Sequence, residues 1–575
     1  MASSLPVCRL SVWGRASLLR CSRRTDTVIH RRVGTNTTAA RTESARRDEN
    51  VLTEETNGRK CLHTLLVERQ EQAERSVLIS CQSGTSEKKL FKFLSKHGDV
   101  EKYFFYESYG MNAVVEFASR DGVASLLETA TIPAVNHESL VPFKSRLLSL
   151  RNLSSVDANP PSGLQFQPQS TVPTNELIQR LSQEESIDQQ IISLTEQYQI
   201  TDENSRLRFL VCSLLKDVAA AYFPECTIKP FGSSVNGFGK LGCDLDMFLD
   251  LDSISGWNVK MPKSGLFTEY QMKRASSERA VTQSVLSVIG ECLDHFGPGC
   301  VGVQKILNAR CPLLRFVHQP SGFQCDLTAN NRVAMKSTEL LYLYGELDPR
   351  VRRLVFTVRC WARAHGITSS IPGAWISNFS LTVMVLFFLQ KRNPPIIPTL
   401  DQLRDLAGPA DKSVIEGNDC TFVSDFTKIQ LRRNTEALEH LLYEFFEFYA
   451  TFPFSRMSVD IRKGKEQNKP EVAPLHIQNP FETALNVSKN VNATQLERFV
   501  ALCQESSWLL QQNETNTPKG GGAGKVHTPW GLSTLLLPSQ VAGIKSRKRR
   551  KREPASERIK SLLDSLKNPS PKKSS

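Results

Sequence analysis

The chain has 575 residues, 40% of them apolar and 23% charged, with 72 Lys or Arg against 59 Asp or Glu. At ~150 residues per domain, that length holds three or four domains. The composition excludes collagen-like, mucin-like and wholly disordered chains, and the net charge of +13 calls for a polyanionic partner or a basic targeting segment.

The charge is unevenly placed. Residues 1–50 hold ten Arg and four acids, and residues 541–575 hold twelve Lys or Arg and three acids. Everything between carries 50 basic and 52 acidic residues, so the core is close to neutral. Within residues 1–45, Arg9, Arg15, Arg20, Arg23 and Arg24 precede the first acid, Asp26. Arg-rich, Ser-rich and acid-poor is the pattern of a mitochondrial transit peptide. Arg9 and Arg15 interrupt the apolar run that a secretory signal needs. The longest apolar run, Leu381–Leu389, falls short of the ~20 residues of a spanning helix, so no membrane insertion is expected. Fourteen Cys include no C-x-x-C pair, which argues against a zinc ribbon and, in a reducing matrix, against disulfides.

Residues 60–150 read as strand, helix, two strands, helix and strand. The strands are Ser76–Cys81, Val100–Tyr106, Asn112–Phe117 and Ser139–Phe143; the helices are Ser86–His97 and Asp121–Thr129. This is the layout of an RRM-like, ferredoxin-like module. Its third strand, Gly110–Phe117, lacks the aromatic pair that stacks bases, so protein contact is the expected use. Residues 153–175, rich in Pro, Ser, Asn and Gln, read as a linker. Thr174 or Asn175 then caps a helix bearing Leu177, Ile178 and Leu181, and a second helix spans Glu203–Tyr222.

Two glycine-rich segments mimic nucleotide motifs. Gly237, Gly239 and Gly242 spell G-x-G-x-x-G but precede a strand instead of opening a helix. Gly520–Lys525 resembles a P-loop but has Lys519 for the first Gly and Val526 for the Ser or Thr. Neither is read as functional. The informative stretch is Lys229–Leu251. Its strand, Cys243–Leu251, places Asp244 and Asp246 on one face, with Leu245 and Met247 turned into the core. Paired carboxylates repel unless a cation lies between them, and a hard divalent ion suits them. Gly232 and Ser233 form a turn ahead of them whose N–H and hydroxyl groups suit a triphosphate. Further on, Pro312–Thr328 reads as a hairpin turning at 319–322 whose second strand delivers Asp326. Three strand-borne carboxylates fit a two-metal site.

With these residues in place, G-S-S, D-L-D and a later single Asp, the sequence resembles the poly(A) and poly(U) polymerases among the DNA polymerase β-like nucleotidyltransferases. Residues 175–510 carry the resemblance, and the transit-like tail points to the mitochondrial branch. Asn330, Ser337 and Thr338 resemble the family's sugar-contacting segment. Arg359-Cys-Trp-Ala-Arg363 resembles its triphosphate-gripping helix, with Arg in place of Lys. Asn378 and Phe379 fall in the motif whose aromatic stacks on the base. Asn479–Ser488 resembles the nucleotide-recognition motif, where Leu485, followed by Asn486, replaces a His of uridylyl-transferring relatives. That replacement favours ATP.

The resemblance implies an α+β multidomain fold. It comprises an RRM-like domain (60–150), a nucleotidyltransferase palm with a mixed sheet and helices (200–345), a mostly helical central and PAP-associated domain (177–199 and 346–508), and a basic low-complexity tail (512–575). The implied activity is template-independent addition of AMP from ATP to the 3′ ends of single-stranded mitochondrial RNAs in the matrix. The expected cofactors are two Mg²⁺ or Mn²⁺ ions on Asp244, Asp246 and Asp326. A homodimer through the RRM-like domain is also implied. A terminal uridylyltransferase and a non-catalytic RNA-binding or dimerising scaffold stay open, although three intact carboxylates weigh against the scaffold. The run Arg547–Arg552 could serve as a nuclear signal or as a grip on RNA.

Overall fold

A computed structural model describes residues 59–81, 86–129, 144–149, 166–250, 277–329, 331–371, 373–513 and 528–538. The transit-like segment, the P-loop look-alike, the run Arg547–Arg552, residues 139–143 and Asn330 lie outside them.

The chain enters through helix α1 (Leu62–Glu74), which the strand-led reading of this region did not include. Its Leu, Glu and Gln are good helix formers, but its apolar stripe is weak. Then follow β1 (Ser76–Cys81), α2 (Glu87–Leu94), β2 (Val100–Glu107), β3 (Met111–Phe117) and α3 (Arg120–Thr129). The β2–β3 hairpin closes over residues 108–110, where Gly110 has φ +118°, a conformation suited to glycine. The sheet order is β2-β3-β1-β4.

The fourth strand differs from expectation. It is β4 (Leu147–Ser149), and it pairs parallel with β1. A helical crossover from β3 should return parallel to β3, hence antiparallel to β1, which is itself antiparallel to β3. The region therefore keeps the RRM-like strand order without its uniform antiparallel pairing.

Alternation along the strands divides the sheet's two faces. Val77, Ile79, Ala113 and Val115 pack under Leu90, Leu94, Val123 and Leu126 of α2 and α3. The opposite face, which stacks bases in an RNA-binding module, carries Leu78, Phe104, Tyr106 and Val114. These join Leu207, Leu210, Val211 and Leu214 in one core. Each such buried side chain is worth about 1.5–3 kcal/mol. Polar contacts fix the docking: Arg206 pairs with buried Glu116, and Tyr106 donates its hydroxyl hydrogen to Pro320 O at 2.7 Å. Protein contact is thus the use of this face, and the partner is the chain's own next domain.

The linker is shorter than its composition suggests. Gln167 N–H donates to Phe105 O at 2.8 Å, so residues 166–167 already lie along β2. Helix α4 (Thr174–Leu181) starts at Thr174 itself; its N-cap is Pro173, and neither Thr174 nor Asn175 caps it. Helix α5 (Ile187–Tyr198) follows.

The palm is built on α6 (Asp202–Ala220), capped by Thr201, whose hydroxyl accepts from Asn204 N. Its mixed sheet has the order β5-β6-β9-β8-β7, from β5 (Thr227–Pro230), β6 (Leu245–Asp250), β7 (Cys300–Ile306), β8 (Leu313–His318) and β9 (Phe323–Ala329). Only β6–β9 is parallel. Helices α6 and α7 (Glu278–Phe296) share the sheet's apolar core.

The remaining helices form a second core with α4 and α5. They are α8 (Arg332–Leu347), α9 (Pro349–Ala364), α10 (Asn378–Gln390), α11 (Leu400–Asp405), α12 (Leu438–Thr451) and α13 (Ala493–Asn513). Helix α8 puts Leu340–Tyr344 into this core, so it belongs with the helices although it follows the palm's last strand. Asp348 caps α9 and Pro349 opens it, a favoured pair at a helix start. Helix α10 contains the long apolar run and is buried from Ser380 to Gln390, as an all-apolar helix must be. Among the described residues no helix is long and apolar enough to cross a membrane, and the twelve described Cys are free.

The C-terminal segment is only partly a tail. Residues 528–538 return to the helical core with a short helix, α14 (Leu532–Leu535). Trp530 Nε1–H donates to Ser182 O, and Leu532, Leu535 and Leu536 are buried. The apolar string Trp530–Leu537 was the sequence signal for it.

Candidate active site

The site grows from the centre of the palm sheet. In β6, Leu245 and Met247 are fully buried, which turns Asp246 to the opposite face. Asp244 stands one residue before the strand, not inside it as the alternation suggested. Parallel pairing sets Asp246 opposite Asp326 of β9, and antiparallel pairing sets Asp326 opposite Arg315 of β8. Arg315 donates its Nε–H to Asp326 Oδ1 at 2.8 Å and its Nη2–H to Oδ2 at 2.6 Å.

Burial, then the neighbouring charges of Asp326 and Asp244, push the Asp246 carboxyl up to about 7. Asp244 is raised as well, by burial and then by Asp326. Removing water from like charges disfavours ionisation, and a cation placed between them reverses this. The donor set therefore fits a hard divalent ion on Asp244 and Asp246. Among the described residues no group of three acids, His or Cys is drawn together around one point, and Asp326 is engaged by Arg315.

Buried Arg208 of α6 holds the approach to β6. It donates to Asn204 Oδ1, Ser234 Oγ, Asp244 O and Cys243 O at 2.7–2.9 Å, and lies 4.6 Å over the Phe323 ring. Gly232 joins the carboxylates to a cleft of about 610 Å³. Its φ is +61°, and a Cβ there would stand 3.2 Å from Asp246 Oδ2, so glycine is needed for both reasons. Its N–H donates to Thr338 Oγ1 at 3.0 Å, tying the turn to α8.

The cleft lies between palm and helices. Its lining includes Gly232, Ser233, Ser337, Thr338, Arg359, Arg363, Asn378 and Phe379. Lys240, Tyr198 and the Thr368–Ser370 segment line it too, and among the described residues no carboxylate does. Arg359 is fixed on backbone carbonyls, donating to Phe238 O at 2.6 Å and Asn378 O at 3.2 Å. Burial lowers it to about 10, so it stays cationic at neutral pH. Burial, then Arg363, lowers Lys240. Three cations gathered on one cleft make an anion site, and Lys240 is also near enough to Asp244 to feel its charge. Ser377 caps α10, holding Asn378 and Phe379 at the cleft wall.

The structure does not bring every candidate to this cleft. Leu485 and Asn486 do not line it. The Asn486 amide is engaged with nearby backbone, accepting from Ile477 N and Ser488 N and donating to Leu475 O. Phe481 is buried against Phe422, ring centroids 6.0 Å apart, as packing.

Sequence reading missed Arg315, Arg208 and Lys240. Arg315 was within reach: a hairpin turning at 319–322 pairs 318 with 323, and counting back pairs 315 with 326. Arg208 gave no signal, because a buried Arg on an apolar helix face reads as an interruption.

Residues 187–346 match the family model described as "Poly(A) RNA polymerase, mitochondrial-like, central palm domain", and residues 61–131 match an RL domain model. The mitochondrial poly(A) RNA polymerase of Mus musculus is 56% identical over 506 residues, covering 88% of this chain and 86% of the relative. That of Homo sapiens is 55% identical over 502 residues, covering 87% and 85%. The chain belongs to the mitochondrial poly(A) RNA polymerase family. A crystal structure of mtPAP with ATPγS, 54% identical, superposes with a TM-score of 0.75 over 84% of this chain and 100% of the other. The α+β palm with a mixed sheet is thus that of a mitochondrial poly(A) polymerase.

Proposed function

We propose that Asp244, Asp246 and Asp326 carry the transfer of AMP from ATP to an RNA 3′ end, with ATP held in the adjoining cleft. The activity, polynucleotide adenylyl transfer in mitochondria, is the one the family's name states. The observation that carries the assignment is Gly232, which adjoins both halves: a Cβ on it would stand 3.2 Å from Asp246 Oδ2, and its N–H donates to Thr338 of α8 at the cleft wall. The phosphates therefore lie beside the carboxylates.

Arg359, Arg363 and Lys240 neutralise the triphosphate, and Gly232 and Ser233 orient it. Phe379 stacks on the adenine. The helices wall the cleft and limit water around the reacting phosphorus. Asp326 faces the incoming 3′-hydroxyl and accepts its proton; that oxygen attacks the α-phosphorus in line, and pyrophosphate leaves. Asp244 and Asp246, with Asp326, would hold Mg²⁺ or Mn²⁺, which would offset negative charge on the phosphate oxygens.

ATP preference does not rest on a side-chain contact from Leu485. Crystals of mtPAP with UTP, GTP and CTP also exist, so entry of a nucleotide into that relative does not by itself select. In this chain ATP is selected at the transfer step. Purified protein, an RNA primer and each NTP separately, with Mg²⁺ and then Mn²⁺, test it: ATP alone should give long extension, and extension with UTP alone would contradict it.

Homodimerisation through the N-terminal domain is also proposed. The sheet face toward α6 is already used and residues 166–167 lie along β2, so the outer face of α2 and α3 is the surface left for a second copy. Light scattering across a concentration series checks this.

A further inference from the structure

Asp326 already has a cation. The Arg315 guanidinium grips it with two parallel hydrogen bonds, the geometry that makes Arg–carboxylate pairs specific. The grip uses both carboxylate oxygens, and a metal ion entering at Asp326 must displace it. The pair is not sealed in: the Arg315 side chain is 40% exposed and that of Asp326 16%. The guanidinium can therefore leave without burying an unpaired charge.

The sheet register shows where it stands. Asp246 pairs with Asp326, Asp326 with Arg315, and Arg315 with Gln304 of β7. Directly paired residues share a face and lie ~5 Å apart, so one row crosses the sheet as Asp, Asp, Arg, Gln. One end of the row abuts the nucleotide cleft through Gly232. The other runs out to the open edge strand β7, and Arg315 does not line the nucleotide cleft. A strand whose 3′-hydroxyl reaches Asp326 from that side lays a preceding phosphodiester along Arg315. The planar fork that fits a carboxylate also fits a phosphate.

We infer that Arg315 is a resident counter-ion of Asp326 which metal displaces, and which then grips a phosphate of the RNA primer. The inference rests on the metal-ligand reading of Asp326 given above. Charge balance follows from the exchange. Without metal or RNA, the guanidinium offsets one carboxylate of a crowded set. With both bound, the divalent ion takes the carboxylate and the guanidinium moves to the phosphate. Nucleotide binding on the opposite side stays outside the exchange.

The test uses the full chain and three variants, Arg315→Gln, Arg315→Lys and Asp326→Asn. Mn²⁺ binding is read by electron paramagnetic resonance without nucleotide or RNA, and KM is read for an RNA primer and for ATP. Arg315→Gln should bind Mn²⁺ several-fold more tightly because the competitor is gone. Its primer KM should rise about tenfold, and its plot of log affinity against log salt should be shallower by ~0.7, one single-strand phosphate contact. Its ATP KM should hold within about twofold. Arg315→Lys, which keeps the charge and loses the fork, should fall between wild type and Gln in each readout. It also keeps the test valid if Gln disturbs folding. Unchanged or weaker Mn²⁺ binding in Arg315→Gln would overturn the counter-ion assignment, and an unchanged primer KM and salt slope would overturn the RNA grip. If Asp326→Asn leaves Mn²⁺ affinity unchanged, the metal-ligand reading of Asp326 fails instead.

Discussion

The candidate active site has two unlike walls. The palm sheet presents Asp244, Asp246 and Asp326, and burial, then the neighbouring carboxylates, raise Asp246 to about 7. The cleft beside it presents Lys240, Arg359 and Arg363, and among the described residues no carboxylate lines it. One wall attracts cations and the other anions, and Gly232 is where they meet. The contrast teaches a division of work. The cationic wall should set how tightly ATP binds, and the acidic wall how fast AMP is transferred.

Breaking the acidic wall should give the largest effect. Asp326→Ala or Asp244→Ala should lower AMP transfer by about 10³-fold, the scale of losing a group that acts on developing charge. Circular dichroism and melting should show a folded protein. On the cationic wall, Arg359→Gln should raise the KM for ATP about tenfold to a hundredfold, the worth of a charged hydrogen bond, with a smaller change in kcat. Lys240→Gln should act in the same direction but by only a few-fold, because Arg359 and Arg363 remain.

A pH titration of stability sharpens the contrast without substrate. A carboxyl near 7 in the folded chain and ~4 when unfolded keeps its proton longer in the folded state. The folded state then binds more protons between those values, so this group makes metal-free stability fall as pH rises from ~4 to ~7. Asp246→Asn removes the penalty. It should melt higher than wild type at pH 7.5 in chelator, with the difference gone near pH 4, and added Mg²⁺ should help only the wild type. Leu485→His, away from the cleft, should move the ATP/UTP ratio least, by less than about threefold in primer extension.

Much of this was legible because it depends on local spacing. Asp244 and Asp246 two apart, a hairpin delivering Asp326, and a glycine turn before a strand are short-range patterns, and the structure sets Asp246 opposite Asp326 with Gly232 beside Asp246. What was not legible depends on packing across domains. The alternation of Leu78, Phe104, Tyr106 and Val114 shows that the face is apolar but not that α6 covers it. The polar tail composition masked Trp530–Leu537, whose burial requires the surface of α4 and α5. Asn486 sits in a nucleotide-recognition motif by sequence, but its amide is bonded to the backbone of Leu475, Ile477 and Ser488. Such use is visible only once the backbone is folded.

The division of work is tested most directly by separating ATP binding from transfer in one variant. Asp246→Asn should bind ATP with a dissociation constant within about threefold of wild type, while its single-turnover rate of AMP transfer to an RNA primer falls about 10³-fold. Transfer at the wild-type rate, or a loss accounted for entirely by weaker ATP binding, would contradict the account.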